Sequence, residues 1–336
     1  MPVNNMPPDW VPPAPAWQSR WQADEEPLVV GYFGIQADAP GPLESWARSA
    51  FQGDHRPAAV EQGRYVDQQG ASNFIFIAYW RQTDYQAWWD LATSSDWWRS
   101  DERAAEDVGY WREIFNMPLD HLETLHSTET PYGVGTLTAE VEGPIAEHGY
   151  AGAMRDRIAL SGNDDLRATV EISTPMAAES TQAGRRVLLR PPHKMSVIRS
   201  GQNWSLCESQ ERAHYLQKVQ PVLLEGMRYL RDNPVETNCY SLRFVEKTDT
   251  DWSPTDESFG LGYATDVHAF EEWAKSHPTH LAIFDSFLKM VEQFGESMKL
   301  RLWHEVSVLP GHGCECEYIG CHTDTGLLRY RDRDSL

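Results

Sequence analysis

The chain has 336 residues, of which 41% are hydrophobic, enough to bury a large core as one pseudo-symmetric domain or as two fused ones. Its 50 acidic residues against 29 Lys and Arg give a formal net charge of -21, which disfavours nucleic acids and anionic membrane surfaces as partners. No apolar run approaches the roughly 20 residues that a membrane helix needs.

The first 27 residues are a proline-rich N-terminal arm. The stretch from Met1 to Trp17 has neither the basic start nor the apolar run of a secretory signal. Its composition predicts either an extended arm that lies over a neighbouring surface or a disordered segment.

The first half of the chain then alternates strands and helices. Apolar, β-branched and aromatic runs predict strands, and helical spacing predicts helices, at Leu28–Ile35 (strand), Pro42–Phe51 (helix), Asn73–Tyr79 (strand), Thr83–Leu91 (helix) and Gly109–Phe115 (strand). Thr83 is the expected N-cap of the second helix. This order of elements predicts a ferredoxin-like α+β pattern.

The second half repeats the alternation after an irregular middle segment from Ser127 to Pro192. Strands are predicted at Lys194–Arg199, Tyr240–Val245, Ser258–Tyr263 and Leu300–Leu309, and helices at Glu208–Arg231, Asp266–Lys275 and from Pro278 onward. Pro221 is expected to kink the first of these helices, whereas Pro278 suits a first helical turn, where its missing N–H has no partner to lose. The acidic run from Thr248 to Ser258 predicts a solvated loop.

Two spacings centred on tryptophan occur once in each half. They are ten residues from a tyrosine to a tryptophan (Tyr79 to Trp89, Tyr263 to Trp273) and seven from a tryptophan to a proline (Trp111 to Pro118, Trp303 to Pro310). Counted from these tryptophans, His280 falls opposite Asp96 and His304 falls opposite Arg112. Only the second copy therefore has imidazole at both positions, and this asymmetry indicates where the functional site lies.

The repeat predicts an α+β fold in which two ferredoxin-like units pair into a larger sheet or barrel with helices outside. The predicted boundaries are 1–27 for the arm, 28–192 for the first unit with the irregular segment, 193–328 for the second unit and 329–336 for a C-terminal tail.

His280 lies one turn inside a predicted helix, and His304 lies on a neighbouring strand. A histidine that grips a cofactor from a helix, with another across the pocket, is the arrangement of haem enzymes with proximal and distal histidines. A packing or capping role is equally open, because imidazole is an ordinary partner for carboxylates and carbonyls. No glycine-rich phosphate loop and no GxSxG elbow occurs, so nucleotide binding and an α/β-hydrolase are not indicated.

Five cysteines are an odd and sparse set, which predicts free thiols in a reducing cytoplasm. Cys314, Cys316 and Cys321 cluster near the C-terminus, but they lack the paired CxxC spacing of structural zinc, and the alternation around Cys316 predicts a strand. Zinc at this cluster is the minor alternative. The absence of CxxCH excludes covalent c-type haem.

Five motifs occur in consistent order: His121–Ser127, Gly152–Arg157, Gln202–Ser205, His277–Phe284 and Leu302–Val308. Together they resemble the aldoxime dehydratases, and the resemblance runs from about Leu28 to Leu328. It implies a b-type haem, a dimeric α+β barrel fold, and conversion of an aldoxime, R–CH=N–OH, into a nitrile and water. An apolar edge and the N-terminal arm predict a homodimer.

The resemblance also implies a role for each of five residues. These are His280 as the axial haem ligand, His304 as the distal acid and base, Arg157 as the pocket arginine, Ser200 as the hydroxyl that holds the substrate oxygen, and Glu123 as a site carboxylate. Arg155 and Ser205 are the alternatives for the arginine and the hydroxyl. The oxime nitrogen would bind ferrous haem, and an imidazole of ordinary pKa, about 6.5, would protonate the departing oxygen.

Simpler roles stand beside these. The triplet from Arg155 to Arg157 could form a surface ion pair, Ser200 could end its strand, and Glu123 could be solvated. A haem peroxidase and a non-catalytic haem or small-ligand binding protein are the alternative functions. The sequence leaves open whether an aliphatic or an arylaliphatic aldoxime is preferred.

Overall fold

The computed structural model describes residues 5–22, 24–181 and 185–332, so the predicted arm and tail are described only in part. The strands are β1 (Gln18–Arg20), β2 (Leu28–Gln36), β3 (Ala59–Val66), β4 (Ser72–Arg81), β5 (Gly109–Met117), β6 (Leu122–His126), β7 (Glu140–Glu142), β8 (Ala178–Thr181), β9 (Arg186–Leu189), β10 (Ser196–Asn203), β11 (Cys239–Thr248), β12 (Pro254–Ala264), β13 (Arg301–Val308) and β14 (Glu315–Ile319). The helices are α1 (Gly41–Ala50), α2 (Gln82–Trp89), α3 (Ala92–Arg99), α4 (Glu102–Ala105), α5 (Ala153–Arg157), α6 (Ser209–His214), α7 (Gln220–Asp232), α8 (Pro234–Thr237), α9 (Val267–Ser276) and α10 (Pro278–Phe294).

Twelve of these strands form one sheet in the order β6-β13-β10-β12-β11-β3-β4-β2-β5-β14-β9-β8, and every neighbouring pair is antiparallel. The short strands β1 and β7 pair separately. The predicted α+β class is confirmed by this large antiparallel sheet and the helices between its strands.

The sheet contains two groups of four strands with the same connectivity. Along the chain each group runs strand, helix, strand, strand, helix, strand, and in the sheet the orders β5-β2-β4-β3 and β13-β10-β12-β11 correspond. The groups meet at β3 and β11, where Arg64 is opposite Glu246. Each group is then extended by the strand that follows the other: β6 pairs with β13, and β14 pairs with β5. After the last strand of each group, the chain therefore passes to the edge of the other group.

At equivalent positions in both groups, a tryptophan side chain packs over a glycine of the neighbouring strand. Trp111 is opposite Gly34, and Trp303 is opposite Gly201. A Cβ atom at either glycine would lie 2.0 or 2.1 Å from the facing indole, so only glycine leaves room for the ring. The tryptophan spacing in the sequence therefore corresponds to a repeated packing feature.

A buried charge cluster joins the two strand groups on the face of the sheet opposite the helices. Arg199 is fully buried, and its guanidinium contacts Glu61 at 2.6 Å and Glu305 at 3.4 Å. The Tyr79 hydroxyl donates to Glu305 at 2.6 Å. Since side chains alternate along a strand, the next residue after Arg199 and the residue before Glu305 point to the opposite, helix-covered face.

Most predicted elements lie within a few residues of the observed ones, and three predictions were wrong. Thr83 is not an N-cap: Arg81 holds that position, and the Thr83 hydroxyl donates to Glu26. The acidic run is a loop only as far as Ser253, because β12 begins at Pro254. Ser200 does not end its strand, since β10 continues to Asn203.

The sequence analysis also missed β3. Its residues alternate in burial only weakly, and polar side chains such as Glu61 and Arg64 lie at the junction of the two groups, where ion pairs satisfy them. Polar residues on such a strand give no apolar period to detect.

The long helix predicted before β11 is interrupted where proline was expected to disturb it. It runs through α6, a π-helical turn at Tyr215–Val219, and then α7, in which Pro221 is in the first turn. A π turn before proline accommodates the residue that cannot donate a backbone hydrogen bond. Within the described residues, no helix has both the length and the apolar character needed to cross a membrane.

Candidate active site

Glu123, Arg157 and His304 come together from three separate elements: β6, α5 and β13. The Arg157 Nε atom donates to a Glu123 carboxylate oxygen at 2.8 Å. His304 Nε2 lies 2.9 Å from the other oxygen of Glu123 and 2.9 Å from an Arg157 terminal nitrogen. The antiparallel pairing of β6 with β13, in which Glu123 is opposite Val306, brings the carboxylate to the same face as His304.

The Glu123 side chain is fully buried, and that of Arg157 is 2% exposed. Burial by itself would raise the pKa of the Glu123 carboxyl, but the positive charges of Arg157 and His304 outweigh it and lower the pKa to about 2. Glu123 is therefore neither solvated nor part of a surface ion pair, and the simpler roles for Glu123 and Arg157 were wrong.

The ring of His304 has two competing partners at one nitrogen. A neutral ring accepts a hydrogen bond at Nε2 from Arg157, whereas a protonated Nε2 requires an acceptor, and a Glu123 oxygen lies at the same distance. The site thus stabilises both protonation states of the imidazole. In the described residues Nδ1 of His304 has no protein partner, and the side chain keeps 22% exposure, so this nitrogen remains available to a small molecule.

Of the two candidate arginines, Arg157 contacts the histidine. Arg155 points elsewhere and pairs with Glu271 at 3.1 Å. The geometry therefore favours Arg157 as the site arginine.

The two candidate hydroxyls differ in the same way. Ser200 on β10 is directly opposite His304 on β13, so both side chains lie on one face of the sheet. Ser205 lies beyond the end of β10, where its hydroxyl donates to Asn203 at 2.7 Å. The geometry therefore favours Ser200.

The helix-covered face of the second strand group has lost bulky side chains that fill this space in the first group. Strand register equates three aromatic residues of the first group with small residues of the second. The equated pairs are Phe33 with Ser200, Phe76 with Gly260 and Trp80 with Ala264. The three aromatic side chains are buried in one cluster between sheet and helices. The second group therefore has no aromatic layer beside Ser200 and His304, and at Gly260 the flexible end of Met227 lies 2.6 Å from where a Cβ atom would be.

His280 is the third residue of α10, and its ring contacts the edge of Trp273 with ring centres 4.7 Å apart. Burial lowers the pKa of His280, an effect that the Ala274 carbonyl partly offsets, so the ring is neutral near pH 7. Its buried Nδ1 has no hydrogen-bond partner of ordinary geometry among the described residues. Of the apolar residues predicted to share its face, Phe287 and Val291 are half-buried and Phe284 is 43% exposed.

These features fit a haem held by one axial histidine. A neutral imidazole is the form that binds iron. The described residues contain no group of three or more His, Cys, Asp or Glu side chains able to hold a bare metal ion. All five cysteines are free. Burial raises the pKa of Cys314 to about 12, so this thiol does not act as a thiolate ligand near pH 7.

A cavity of about 620 Å³ lies apart from this site, where β3 and β11 separate beside α7. Its lining includes Arg64, Phe244 and His322 but neither His280 nor His304. It therefore does not belong to the site described above.

The sequence analysis missed the contribution of Gly260 and Ala264. The same offset that equates Tyr79 with Tyr263 also equates these two small residues with aromatic residues of the first half. A full comparison of the two copies would therefore have identified them.

Residues 31–327 match a protein family described as haem-containing dehydratase. The chain is 36% identical over 335 residues to an aliphatic aldoxime dehydratase of Rhodococcus globerulus, covering 97% of this chain and 94% of that protein. It is 32% identical over 335 residues to a phenylacetaldoxime dehydratase of Bacillus sp. (strain OxB-1), covering 98% and 95%. A crystal structure of an aldoxime dehydratase in complex with butyraldoxime superimposes with a TM-score of 0.91 and 34% identity, covering 98% of this chain and 93% of that chain.

Proposed function

Because this chain belongs to the haem-containing dehydratase family, we propose that it is a lyase that dehydrates aldoximes, R–CH=N–OH, to nitriles and water. The observation that carries the proposal is the cluster of Glu123, Arg157 and His304 on the sheet face where the second strand group has small residues in place of aromatic ones. Such a cluster suits proton transfer to and from a small molecule held beside it.

His280 would hold the haem, since its neutral ring lies on α10, which packs against α7 and α9, the helices that contact β11 and β12. When bound, a ferrous b-type haem would supply a Lewis-acidic iron for the oxime nitrogen and electron density that weakens the N–O bond.

The residues of the chain then supply the proton transfers. Hydroxide is a poor leaving group, so a proton from His304 must reach the oxime oxygen as the N–O bond breaks, and water leaves. Ser200 orients that oxygen by a hydrogen bond from the neighbouring strand. The imidazole, now neutral, takes the proton from the oxime carbon, and the C–H electron pair completes the C≡N bond. The reaction is redox-neutral, and His304 ends in the protonation state in which it began.

Arg157 and Glu123 hold the imidazole for both transfers. The guanidinium donates to Nε2 only while the resting ring is unprotonated there. During both transfers, which take place at Nδ1, the ring keeps its Nε2–H toward the Glu123 carboxylate 2.9 Å away, and Arg157 Nε holds that carboxylate at 2.8 Å. Since Glu123 has a pKa of about 2, it stays ionised throughout, so its role is electrostatic.

We further propose three finer features. The two four-stranded groups are duplicated ferredoxin-like units of a dimeric-barrel-type core, with unit boundaries at 28–192 and 193–328, flanked by the arm (1–27) and the tail (329–336); their matching strand order supports this. The protein works as a homodimer, which the half-exposed apolar residues Leu281, Phe284 and Leu288 on α10 support. The free cysteines support a reducing cytoplasm.

The test is an absorption spectrum of the purified protein beside His280→Ala, oxidised and dithionite-reduced, followed by addition of butyraldoxime or phenylacetaldoxime. His312→Ala is the matched control, because His312 is exposed. We expect a Soret band in the wild type and the control that is lost or displaced in His280→Ala, and nitrile only in reduced samples. Nitrile formation without haem, or turnover of peroxide by the ferric protein without nitrile formation, would refute the proposal. Comparing rates for the two aldoximes decides between aliphatic and arylaliphatic preference.

A further inference from the structure

Residues 5–17 of the N-terminal arm run over the segment that carries Arg157. At its first described residue, the Asn5 backbone N–H donates to one Asp156 carboxylate oxygen at 2.9 Å, and the Asn5 side-chain amide donates to the other at 2.6 Å. Asp156 also accepts a hydrogen bond from the Tyr150 hydroxyl at 2.9 Å. The arm is thus bound to the residue directly before Arg157.

A second set of arm contacts holds the other end of the same segment. The Trp10 indole N–H donates to the His148 carbonyl at 3.0 Å, and its ring packs edge-on against Tyr150 with ring centres 5.5 Å apart. Further along, the Ile145 N–H donates to the Ala16 carbonyl at 2.9 Å. The stretch 145–156 is therefore bound to the arm at both of its ends.

This segment has little structure of its own to fix it. Its helix α5 has only five residues, too few for an isolated helix to be stable. Gly152 precedes the helix with a φ of +93°, and a Cβ atom there would lie 2.6 Å from Asn5. The backbone thus adopts a left-handed conformation, which favours glycine, where the arm approaches most closely.

Arg157 depends on both ends of the segment. Its backbone position follows from α5, next to Asp156, and one terminal nitrogen donates to the Glu147 carbonyl at 2.5 Å, next to His148. The other terminal nitrogen points to His304. A guanidinium is planar, so fixing the nitrogen that contacts Glu147 also fixes the direction of the nitrogen that contacts His304.

We propose that the N-terminal arm is a clasp that positions Arg157 against His304, with Asn5 and Trp10 as positioning residues. The inference rests on the proposed dehydratase function for its kinetic effect, but its structural effect is independent of that function. Without the clasp, Arg157 keeps its buried contact with Glu123 and loses the fixed orientation toward His304. A misplacement of about 1 Å in a proton-transfer site lowers the rate by roughly 10- to 100-fold.

The test compares Asn5→Ala, Trp10→Ala and the double variant with the control Val11→Ala, since Val11 lies in the same arm and is 79% exposed. Two readouts are taken on haem-loaded protein: kcat and KM for nitrile formation, and backbone hydrogen exchange of residues 145–157. We expect kcat to fall by roughly 10-fold or more in the double variant with KM within about twofold. Exchange should accelerate in 145–157 but not in β10 or β13, and the Soret band should stay unchanged.

A partner exchange tests the contact itself. Asn5→Asp alone places two carboxylates side by side and should lower kcat as Asn5→Ala does. In the double variant Asn5→Asp/Asp156→Asn, the carboxylate is on residue 5 and the amide is on residue 156. In this variant kcat should recover to within about threefold of the wild type. A general loss of stability would not be reversed by this exchange.

Values of kcat within twofold of the wild type in the double variant, with unchanged exchange in 145–157, would overturn the clasp. So would a loss of kcat that the partner exchange fails to restore. If the wild type forms no nitrile, the proposed function fails instead, and the hydrogen-exchange comparison alone then decides whether the arm holds the segment.

Discussion

Replacing Arg157 with methionine is the most direct test of the buried cluster. The substitution keeps much of the side-chain length but removes the charge, so Glu123, whose side chain is fully buried, loses a partner at 2.8 Å. Leaving one partner of a buried ion pair uncompensated costs about 3–5 kcal/mol. We therefore expect Arg157→Met to lower the free energy of unfolding by about that amount and to lower nitrile formation by at least about 100-fold.

The double variant Arg157→Met/Glu123→Gln separates stability from activity. Removing the stranded carboxylate should restore at least about 2 kcal/mol of the lost stability, because no buried charge is then unpaired. Activity should not return, since His304 has lost the groups that stabilise both of its protonation states.

Urea unfolding of haem-bound protein at pH 7, followed by tryptophan fluorescence, measures the stabilities, and nitrile formation measures the activities. Arg64→Met is the matched control. Its side chain is 41% exposed and pairs with Glu246, which is 54% exposed, so its loss should cost about 1 kcal/mol or less and leave activity near that of the wild type. A cost below about 1 kcal/mol for Arg157→Met, or a double variant less stable than the single one, would refute the reasoning.

Three further outcomes are expected. His280→Gly should lose the Soret band and regain it on addition of imidazole, because the free ligand can occupy the vacated position; failure of imidazole to restore any band would contradict axial ligation. Ser200→Ala should keep the Soret band and lower kcat by about 100-fold. Ser200→Phe introduces the aromatic side chain that the first group has at the equivalent position, Phe33, and this variant should fold but bind no haem. Equal haem content in the two variants would show that haem binding does not need a small residue at position 200. Burial, assisted by the charge of His304, lowers the pKa of His126 to about 4 from 6.5, so stability that is complete above pH 6.5 is lost as the pH falls through 4. His126→Gln should remove about 3 kcal/mol of that pH dependence in urea unfolding at pH 7 and pH 4, unlike His55→Gln, whose side chain is 45% exposed.

Local patterns in the sequence were sufficient for the α+β class, the helix that begins at Pro278 and the position of His280 near its start. They also revealed the duplication, because Trp111 and Trp303 each pack on a glycine of the neighbouring strand and so recur at a fixed spacing. The asymmetry between the copies at His304 likewise followed from counting residues. These features depend on interactions within a strand or helix, or between strands in a repeated register, which the order of residues records directly.

Which residues form the site could be determined only from the tertiary structure. Glu123, Arg157 and His304 lie 34 and 147 residues apart along the chain, and no spacing relates them. They meet because β6, which follows the first strand group, adds to the edge of the second at β13. The choice of Arg157 over Arg155, only two residues away, was decided by which side chain α5 directs toward that edge.

The sequence by itself therefore determined most of the elements, their repetition and the two histidines, since burial periodicity and helix or strand signals act over short stretches of chain. Only the tertiary structure decided which distant residues share the site and that the arm lies on the segment of Arg157. Each of these depends on which strand edges and surfaces pair in space. That pairing is set by the packing of the whole chain, and it produces no periodic pattern in the sequence around the residues that it brings together.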